Sequence, residues 1–296
     1  MKNWIQAARL RTLPLSISGI IVGSGYAYYQ NEFDWIIFVL ALCTTLGLQI
    51  LSNYANDYGD GVKGTDVNRI GEKRLVAAGV VSASQMKKAV ISTTIITFIL
   101  ALALIYVAFG NENFGLSLIF ILLGIGSIGA AIKYTVGSNA YGYSGFGDVF
   151  VFIFFGLVSV IGSNFLFTHF IDWTLFFPAI AIGLLSVAVL NLNNMRDIEN
   201  DKIAGKNTLV VKMGLEKAKK YHYTLISIAL VLFVFFSGMI SIKMYMYLPI
   251  ILVLAMHLKT VKKSKKYEDF DPELKKVALS TFALSLLFWL TLWFKI

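Results

Sequence analysis

Two short segments rich in asparagine and aspartate lie within an otherwise apolar chain, and they repeat one another. The first begins at residue 53 and the second at residue 194, and matching positions are separated by a constant 141 residues. Carboxylates are costly inside a membrane and are kept there mainly for function, so the repeat predicts one site built from two copies. The matched pairs are Asn53 with Asn194, Asn56 with Asp197, Asp60 with Asp201 and Gly64 with Gly205.

The residue types in these segments favour a hard metal ion. Side chains four residues apart share one face of a helix, so each segment directs two oxygen ligands toward one point. Oxygen ligands without a nearby histidine or thiol select Mg²⁺ or a similar cation, which binds through one or two carboxylates plus substrate phosphates. We therefore predict two Mg²⁺ ions and a diphosphate substrate. The predicted metal ligands are Asn56, Asp57, Asp60, Asp66, Asp197 and Asp201.

Glycine-containing basic loops follow both segments and supply positive charge. Arginine offers forked hydrogen bonds to phosphate and lysine a point charge, so these loops are expected to fold over a diphosphate, with Lys206 as its main counter-charge in the second loop. The alternatives are plain cytoplasmic basic loops and, for the acidic segments, helix caps and turns. The predicted substrate-binding residues are Asn53, Asn56, Lys63, Arg69, Arg74, Tyr143, Asn194, Arg196 and Lys206.

A third polar segment, residues 133–148, contains three tyrosines and one basic residue, Lys133. Its tyrosines are suited to stabilising a carbocation by cation–π attraction or to stacking on an aromatic acceptor; an interfacial tyrosine belt is the alternative. Lys133 is a candidate partner for a phosphate or a substrate carboxylate. The predicted catalytic residues are Asp60, Asp197, Asp201, Lys133 and Tyr134.

The elements that carry these residues are predicted to be membrane-spanning helices. The 296 residues are 57% hydrophobic and 15% charged, against roughly 25% charged in soluble domains. A single cysteine and three scattered histidines exclude a disulfide framework and disfavour a zinc or iron cluster. Nine apolar runs approach or exceed the length needed to span a bilayer. These runs are residues 13–29, 35–54, 89–109, 114–132, 148–167, 173–192, 223–242, 244–257 and 277–294.

The basic residues orient this all-α integral membrane protein. All but Lys243 and Lys295 of the 26 Lys and Arg residues fall on one side of the nine spans, which is predicted to be cytoplasmic. The N-terminus is then cytoplasmic and is treated as retained rather than cleaved. Both acidic segments lie at cytoplasmic ends of spans, so we expect one transmembrane domain over residues 1–296, with its active site facing the cytoplasm.

The same three segments resemble the UbiA superfamily of intramembrane prenyltransferases, and the similarity runs over essentially the whole chain. It is carried by Asn56-Asp57 through Asp60, by Lys133-Tyr134 with the following tyrosines, and by Asn193 through Asp201 with Gly205-Lys206. Gly64 stands where many members have a third aspartate, with Asp66 two positions later. The menaquinone branch of the family shares this shift, which leaves the role of Asp66 open.

The resemblance implies a bundle of nine transmembrane helices around a central cavity, in the cell membrane. It further implies that Mg²⁺ holds a polyprenyl diphosphate at the cytoplasmic end and that the prenyl group passes to 1,4-dihydroxy-2-naphthoate. In this branch the ring carboxyl is lost as CO2, giving demethylmenaquinone. Another aromatic acceptor, such as a hydroxybenzoate or homogentisate, is the main alternative. A secondary transporter and a CDP-alcohol phosphotransferase are more distant ones, and no nucleic acid partner is expected.

Overall fold

The computed structural model describes residues 2–65, 74–110, 113–138 and 140–294. Within these ranges the ordered elements are helices and no strand occurs. Helices in chain order are α1 (Lys2–Ala8), α2 (Leu13–Tyr29), α3 (Trp35–Lys63), α4 (Ala83–Phe109), α5 (Phe114–Lys133), α6 (Gly147–Val151), α7 (Ser163–Thr168), α8 (Phe176–Arg196), α9 (Ile198–Ile203), α10 (Leu209–Met213), α11 (Leu215–Met239), α12 (Leu248–Lys263) and α13 (Phe270–Phe294). A π-helical segment, Phe152–Gly162, joins α6 to α7.

Eight helical stretches of the described chain are long and apolar enough to cross a membrane, so the protein is a multi-pass membrane protein. The helix Leu13–Tyr29, which the sequence predicts as the first of nine spans, is 17 residues long and is not among the eight. The short run at 244–257 is part of a longer candidate span, Met244–Lys263. The all-helical fold is confirmed, while the ninth span and the cytoplasmic N-terminus stay predictions.

Helix α3 carries the first acidic segment and is longer than the sequence indicates. The Asp34 side chain accepts hydrogen bonds from the backbone N–H groups of Ile36 and Ile37, which starts the helix. Gly64 ends it at φ +69°, a left-handed conformation that glycine adopts without steric cost. The helix continues beyond the predicted span at 35–54, and residues 60–63 form its last turn, so Asp60 is held rigidly.

Helix α8 is the most enclosed helix of the bundle and carries the second acidic segment. It packs against α11, α13 and the π-helical segment. Its buried side chains share a core with Phe233 and Phe236 of α11 and Phe288 of α13. Helix α5 contrasts with it, because none of its residues is buried and its inner face borders the central cavity instead.

The π-helical segment approaches α8 so closely that only glycine fits. A Cβ atom on Gly156 would lie 2.6 Å from the carbonyl oxygen of Ala179 and 2.7 Å from the Cα of Gly183. The contacted atoms are backbone, so they cannot rotate away. This contact fixes the distance between one wall of the cavity and α8.

Substituting Gly156 with alanine is therefore expected to destabilise the bundle by about 1–3 kcal/mol through overpacking. Thermal unfolding of the purified protein in detergent measures this loss. Gly162→Ala is the matched control, because its Cβ would meet only the Val158 side chain, at an ordinary 3.8 Å. A Gly156→Ala protein as stable as the Gly162→Ala protein would contradict the tight contact.

Candidate active site

A central cavity of about 420 Å³ connects a polar end to a long apolar interior. Along α3 its lining extends from Ala41 to Asp60, about 28 Å of helix. The charged and amide residues of the lining are Arg9, Gln49, Asn53, Asn56, Asp60, Arg74, Asn193, Asn194, Asp197, Asp201 and Lys206. The apolar lining includes Leu15, Ile20, Leu104, Ile105, Phe120, Phe154 and Leu166. The two predicted acidic segments thus face one shared space, as the sequence predicts.

The first segment presents Asn53, Asn56 and Asp60 from consecutive turns of α3. The Asn53 amide donates to the carbonyl oxygen of Ala8 at 2.8 Å and to the Thr12 hydroxyl at 3.1 Å, so it also fixes the N-terminal segment. The Asn56 side-chain oxygen accepts a hydrogen bond from the Thr135 hydroxyl at 3.1 Å. Both amides are therefore oriented by neighbouring elements before they meet a ligand.

Asp60 is held by three side chains at the polar end of the cavity. It is 2% exposed and accepts a 2.7 Å hydrogen bond from the Tyr143 phenol. The Lys206 ammonium lies 3.1 Å from one carboxylate oxygen and the Arg74 guanidinium 3.6 Å from the other. Lys206 belongs to the second acidic segment's loop, so the two repeats meet at this one carboxylate.

The aromatic ring of Tyr143 lies beside two lysines. The ammonium groups of Lys63 and Lys206 are 4.1 and 4.8 Å from its centroid. Lys63 also donates to the carbonyl oxygen of Thr135 at 2.8 Å, and it is absent from the cavity lining. Two like charges beside one ring form a positive region at the polar end of the cavity, which is suited to an anionic ligand.

The second segment differs from the first because the helix bends at Asp197. Helix α8 ends at Arg196 and α9 begins at Ile198, and the Asp201 N–H still bonds the Asp197 carbonyl oxygen at 2.8 Å. Asn194, Asp197 and Asp201 all line the cavity. The helix is therefore interrupted at Asp197, but Asp197 and Asp201 keep the predicted four-residue helical spacing and converge on the cavity with Asn194.

Arg196 is predicted to bind substrate, but it does not line the cavity, and neighbouring side chains hold its guanidinium. Its side chain is 1% exposed and makes a bidentate pair with Asp197, through Nε at 2.7 Å and Nη2 at 2.8 Å. Nη1 donates to Asp271 at 2.5 Å and Nη2 to Asn193 at 2.7 Å. The buried guanidinium neutralises Asp197 and links it to the start of α13.

Two other predicted residues lie away from the cavity. Asp57 accepts hydrogen bonds from the backbone N–H groups of Leu75 and Val76, each at 3.0 Å, and does not line the cavity, so its placement does not support metal binding. Lys133 is exposed and is also absent from the lining. The predicted ligand Asp66 and the predicted phosphate contact Arg69 lie outside the described residues.

Aromatic side chains from the third segment form one wall beside the carboxylates. Tyr134 and Tyr141 meet edge to face with centroids 5.3 Å apart, and Tyr141 stacks on Phe150 at 3.9 Å. Burial, followed by the nearby Tyr141 and acidic groups, raises the pKa of Tyr134 far above its ordinary value. Its phenol is therefore neutral at physiological pH, and the residue lines the cavity.

Sequence reasoning missed two residues that organise the site. Gln49 lines the cavity one helical turn before Asn53 and donates to the Asn53 side-chain oxygen at 3.3 Å. A lone glutamine four residues before the motif, inside an apolar run, was the available signal. Asp271, the partner of Arg196, gave no such signal, because it lies among acidic and basic residues typical of a solvated helix start.

The side-chain oxygens that line the cavity fit Mg²⁺, but they do not form a complete metal site on their own. Among the described residues, no group of three or more His, Cys, Asp or Glu side chains is arranged to hold a metal alone. Mg²⁺ commonly retains water and takes substrate phosphate oxygens as ligands, so an incomplete carboxylate set is the expected arrangement. The cavity offers the oxygen donors Asn56, Asp60, Asn194, Asp197 and Asp201.

Residues 16–287 match the model of the UbiA prenyltransferase family. This chain belongs to that family. A 1,4-dihydroxy-2-naphthoate octaprenyltransferase of Haemophilus influenzae is 42% identical over 293 residues, 97% of this chain and 94% of that protein. An Escherichia coli protein of the same name is 47% identical over 79% of this chain and 76% of its own length. The transporter and CDP-alcohol phosphotransferase alternatives are thereby excluded.

Solved structures agree on the UbiA fold. A UbiA homolog from Aeropyrum pernix superposes with a TM-score of 0.70 at 16% identity, covering 95% of this chain and 96% of that one. A UbiA homolog from Archaeoglobus fulgidus, solved bound to GPP and Mg²⁺, superposes with a TM-score of 0.67 at 16% identity, covering 96% and 98%. At this identity the likeness concerns the fold alone.

Replacing Arg196 with lysine tests the structural role of the guanidinium. Lysine keeps the charge but loses the bidentate geometry and the links to Asn193 and Asp271, so we expect a loss of about 1–3 kcal/mol in unfolding free energy. Thermal unfolding in detergent measures it. Lys202→Arg, in an exposed pair with Glu199, is the control and should shift stability by under about 0.5 kcal/mol. Equal effects of the two variants would refute this role.

Proposed function

We propose that this protein transfers a polyprenyl group from polyprenyl diphosphate to 1,4-dihydroxy-2-naphthoate, in the menaquinone branch of the family. The observation that carries the proposal is the single cavity that joins carboxylates, amides and cations at one end to an apolar interior. An amphiphilic diphosphate needs both environments at once. Near full-length similarity to proteins named 1,4-dihydroxy-2-naphthoate octaprenyltransferase supports this choice of acceptor.

Metal binding is assigned to the side-chain oxygens of the two acidic segments. Asn56 and Asp60 would hold one Mg²⁺, and Asp197 and Asp201 a second, with Asn194 beside them. The bound ions supply positive charge that neutralises the departing diphosphate. The Archaeoglobus fulgidus homolog solved with GPP and Mg²⁺ supports a metal-dependent reaction in this family.

Arg74 and Lys206 are the chain's own counter-charges for the diphosphate. Both line the cavity, and both contact Asp60 without ligand. When a diphosphate binds, its oxygens compete for these cations, while the Asp60 oxygens become available as ligands. The cations then hold the diphosphate oxygens by charge, both in the bound substrate and in the departing group.

The aromatic wall and the apolar interior act on the prenyl group itself. The ring face of Tyr134 attracts the allylic carbon as it gains positive charge. The apolar lining excludes water, which would otherwise capture that carbon as an alcohol. The acceptor ring carbon forms the new C–C bond, its carboxylate leaves as CO2, and the bonding electrons restore the aromatic ring. Diphosphate is the other product.

The orientation of the cavity in the membrane belongs to the same proposal. The polar end of the cavity faces the cytoplasm of the cell, because the basic residues flanking it follow the positive-inside rule.

A different aromatic acceptor, such as hydroxybenzoate or homogentisate, is the competing function. Incubating the protein with all three acceptors and one polyprenyl diphosphate distinguishes them, and a clear preference for either competitor would overturn our choice.

Asp60→Asn and Asp201→Asn are each expected to reduce prenyl transfer by a factor of about 10²–10³, since each replaces a charged carboxylate of the diphosphate site with a neutral amide. Product formation from 1,4-dihydroxy-2-naphthoate, polyprenyl diphosphate and Mg²⁺ in membranes is the measurement. Glu199→Gln is the control, because Glu199 is exposed and paired with Lys202 outside the cavity. Undiminished product in either aspartate variant would refute the assigned site.

Removal of divalent metal is expected to abolish turnover. EDTA should reduce product to background, and Mg²⁺ added in excess over the chelator should restore it, because the protein's cations alone leave the diphosphate charge incompletely neutralised. Rates measured across a Mg²⁺ titration give the half-saturating concentration. Full activity in EDTA would contradict metal dependence.

A further inference from the structure

The aspartate directly after Asn56 is buried and faces away from the cavity. Asp57 is 1% exposed, and each of its carboxylate oxygens accepts one backbone N–H, from Leu75 and from Val76, at 3.0 Å. Two such bonds to a buried charged acceptor are strong, and they fix both orientation and distance. Asp57 therefore fastens the segment that follows residue 74 to the last turns of α3.

The fastened segment is a compact turn covering residues 74–80. The N–H of Val80 bonds the Leu75 carbonyl oxygen at 2.9 Å, and that of Ala78 bonds the Arg74 carbonyl oxygen at 3.0 Å. Leu75 is 1% exposed and packs in a small cluster with Ala7, Val81 and Met86. The turn therefore behaves as one rigid unit, held by packing on one side and by Asp57 on the other.

Close backbone packing reinforces this attachment. A Cβ on Gly61 would lie 2.6 Å from the Cβ of Val76 and 3.3 Å from the amide nitrogen of Ala77. Helix α3 and the turn therefore touch with no spare space. Any side chain at position 61 must push the turn away from the helix.

The residue that begins this turn is a cation of the candidate active site. Arg74 is 7% exposed, lines the cavity and reaches to 3.6 Å from Asp60. Its Cα is adjacent in the chain to Leu75, whose N–H is held by Asp57. The position of the guanidinium relative to Asp60 thus depends on the Asp57 carboxylate, one helical turn earlier on the same helix.

We propose that Asp57 is a positioning residue for diphosphate binding, which acts by holding Arg74 at the polar end of the cavity, and that it does not ligate metal. The proposal rests on the function proposed above, in which Arg74 contacts the diphosphate. Neighbouring positions of one motif then have different roles. Asn56 and Asp60 face the ligand, whereas Asp57 faces the turn that carries the cation.

A double-mutant cycle on the full-length protein in membranes tests this assignment. Asp57→Asn retains one acceptor oxygen and leaves the second N–H without its acceptor, so Arg74 should be displaced. We expect KM for polyprenyl diphosphate to rise about tenfold, the change expected for loss of one charged hydrogen bond, with kcat nearly unchanged. Arg74→Ala should raise KM similarly, and the double variant no further than Arg74→Ala alone.

The Mg²⁺ titration separates positioning from metal binding. The half-saturating Mg²⁺ concentration should be unchanged in Asp57→Asn. A rise in this concentration, or KM effects of Asp57→Asn and Arg74→Ala that multiply in the double variant, would overturn the proposal. Absence of Mg²⁺-dependent turnover in the wild-type protein would instead overturn the proposed function.

Gly61→Ala provides a second perturbation that leaves every carboxylate intact. It should reproduce the rise in KM, because the added Cβ displaces Val76 and with it the turn. Asp34→Asn is the matched control on the same helix. The Asp34 carboxylate also accepts two backbone N–H groups, at 2.7 and 3.0 Å, but it lies about 35 Å from Asp57. Its KM should stay at the wild-type value, and an unchanged KM in Gly61→Ala would count against the proposal.

Amide hydrogen exchange gives a readout that does not depend on turnover. In ligand-free protein, Asp57→Asn should increase exchange at Leu75 and Val76, whereas Asp34→Asn should leave these amides protected. Unchanged protection in Asp57→Asn would show that the carboxylate does not anchor the turn.

Discussion

Neutralisation of buried negative charge is the constraint on which the site depends. An uncompensated carboxylate in a low-dielectric interior costs several kcal/mol, so each one must be paired. Asp60 meets this requirement through Arg74, Lys206 and the Tyr143 phenol, and Asp197 through the bidentate Arg196. Arg74 and Lys206, which neutralise Asp60 without ligand, are also the cations suited to meet a diphosphate. The same residues thus serve the stability of the ligand-free protein and the binding of a diphosphate.

This pairing also joins parts of the chain that are distant in sequence. Lys206 of the second repeat bonds Asp60 of the first, and the Asn200 side chain donates to the Thr65 carbonyl oxygen at 2.8 Å. The backbone N–H of Asn207 bonds the Tyr143 carbonyl oxygen at 2.9 Å. Three polar segments therefore form one surface at the end of the cavity. The repeats are nevertheless unequal, because Arg196 holds Asp197 at a helix bend, whereas α3 continues unbroken through Asp60.

Different helices form the rigid side and the open side of the cavity. Helix α8 is enclosed by α11, α13 and the π-helical segment, and it holds the second acidic segment at a fixed position. Helix α5 has no buried residue and leaves room beside α3 and α4 for an apolar chain. Dense packing on one side and an open apolar space on the other suit a protein that must orient charged groups while accommodating a flexible tail.

The local sequence was sufficient for the features that depend on composition and spacing. Long apolar runs predicted the helical membrane fold, because no other element satisfies its backbone hydrogen bonds so locally. The repeated Asn and Asp positions predicted that Asn56, Asp60, Asp197 and Asp201 meet at one cavity, since helical periodicity sets their faces. Residue type and nearness to these segments also predicted three further residues that line the cavity, which are Arg74, Tyr143 and Lys206.

Only the tertiary structure decided what each charged group contacts. Asp57 and Asp60 are equally acidic in the sequence, but one binds the backbone of a turn eighteen residues away and the other faces the cavity. Arg196 is predicted to bind substrate from its place in the second segment, but its guanidinium contacts Asp271, 75 residues further along the chain. The ionic partner of a buried charge is set by which helices pack together. That choice depends on long-range contacts, whereas residue type and helical spacing are fixed by the chain itself.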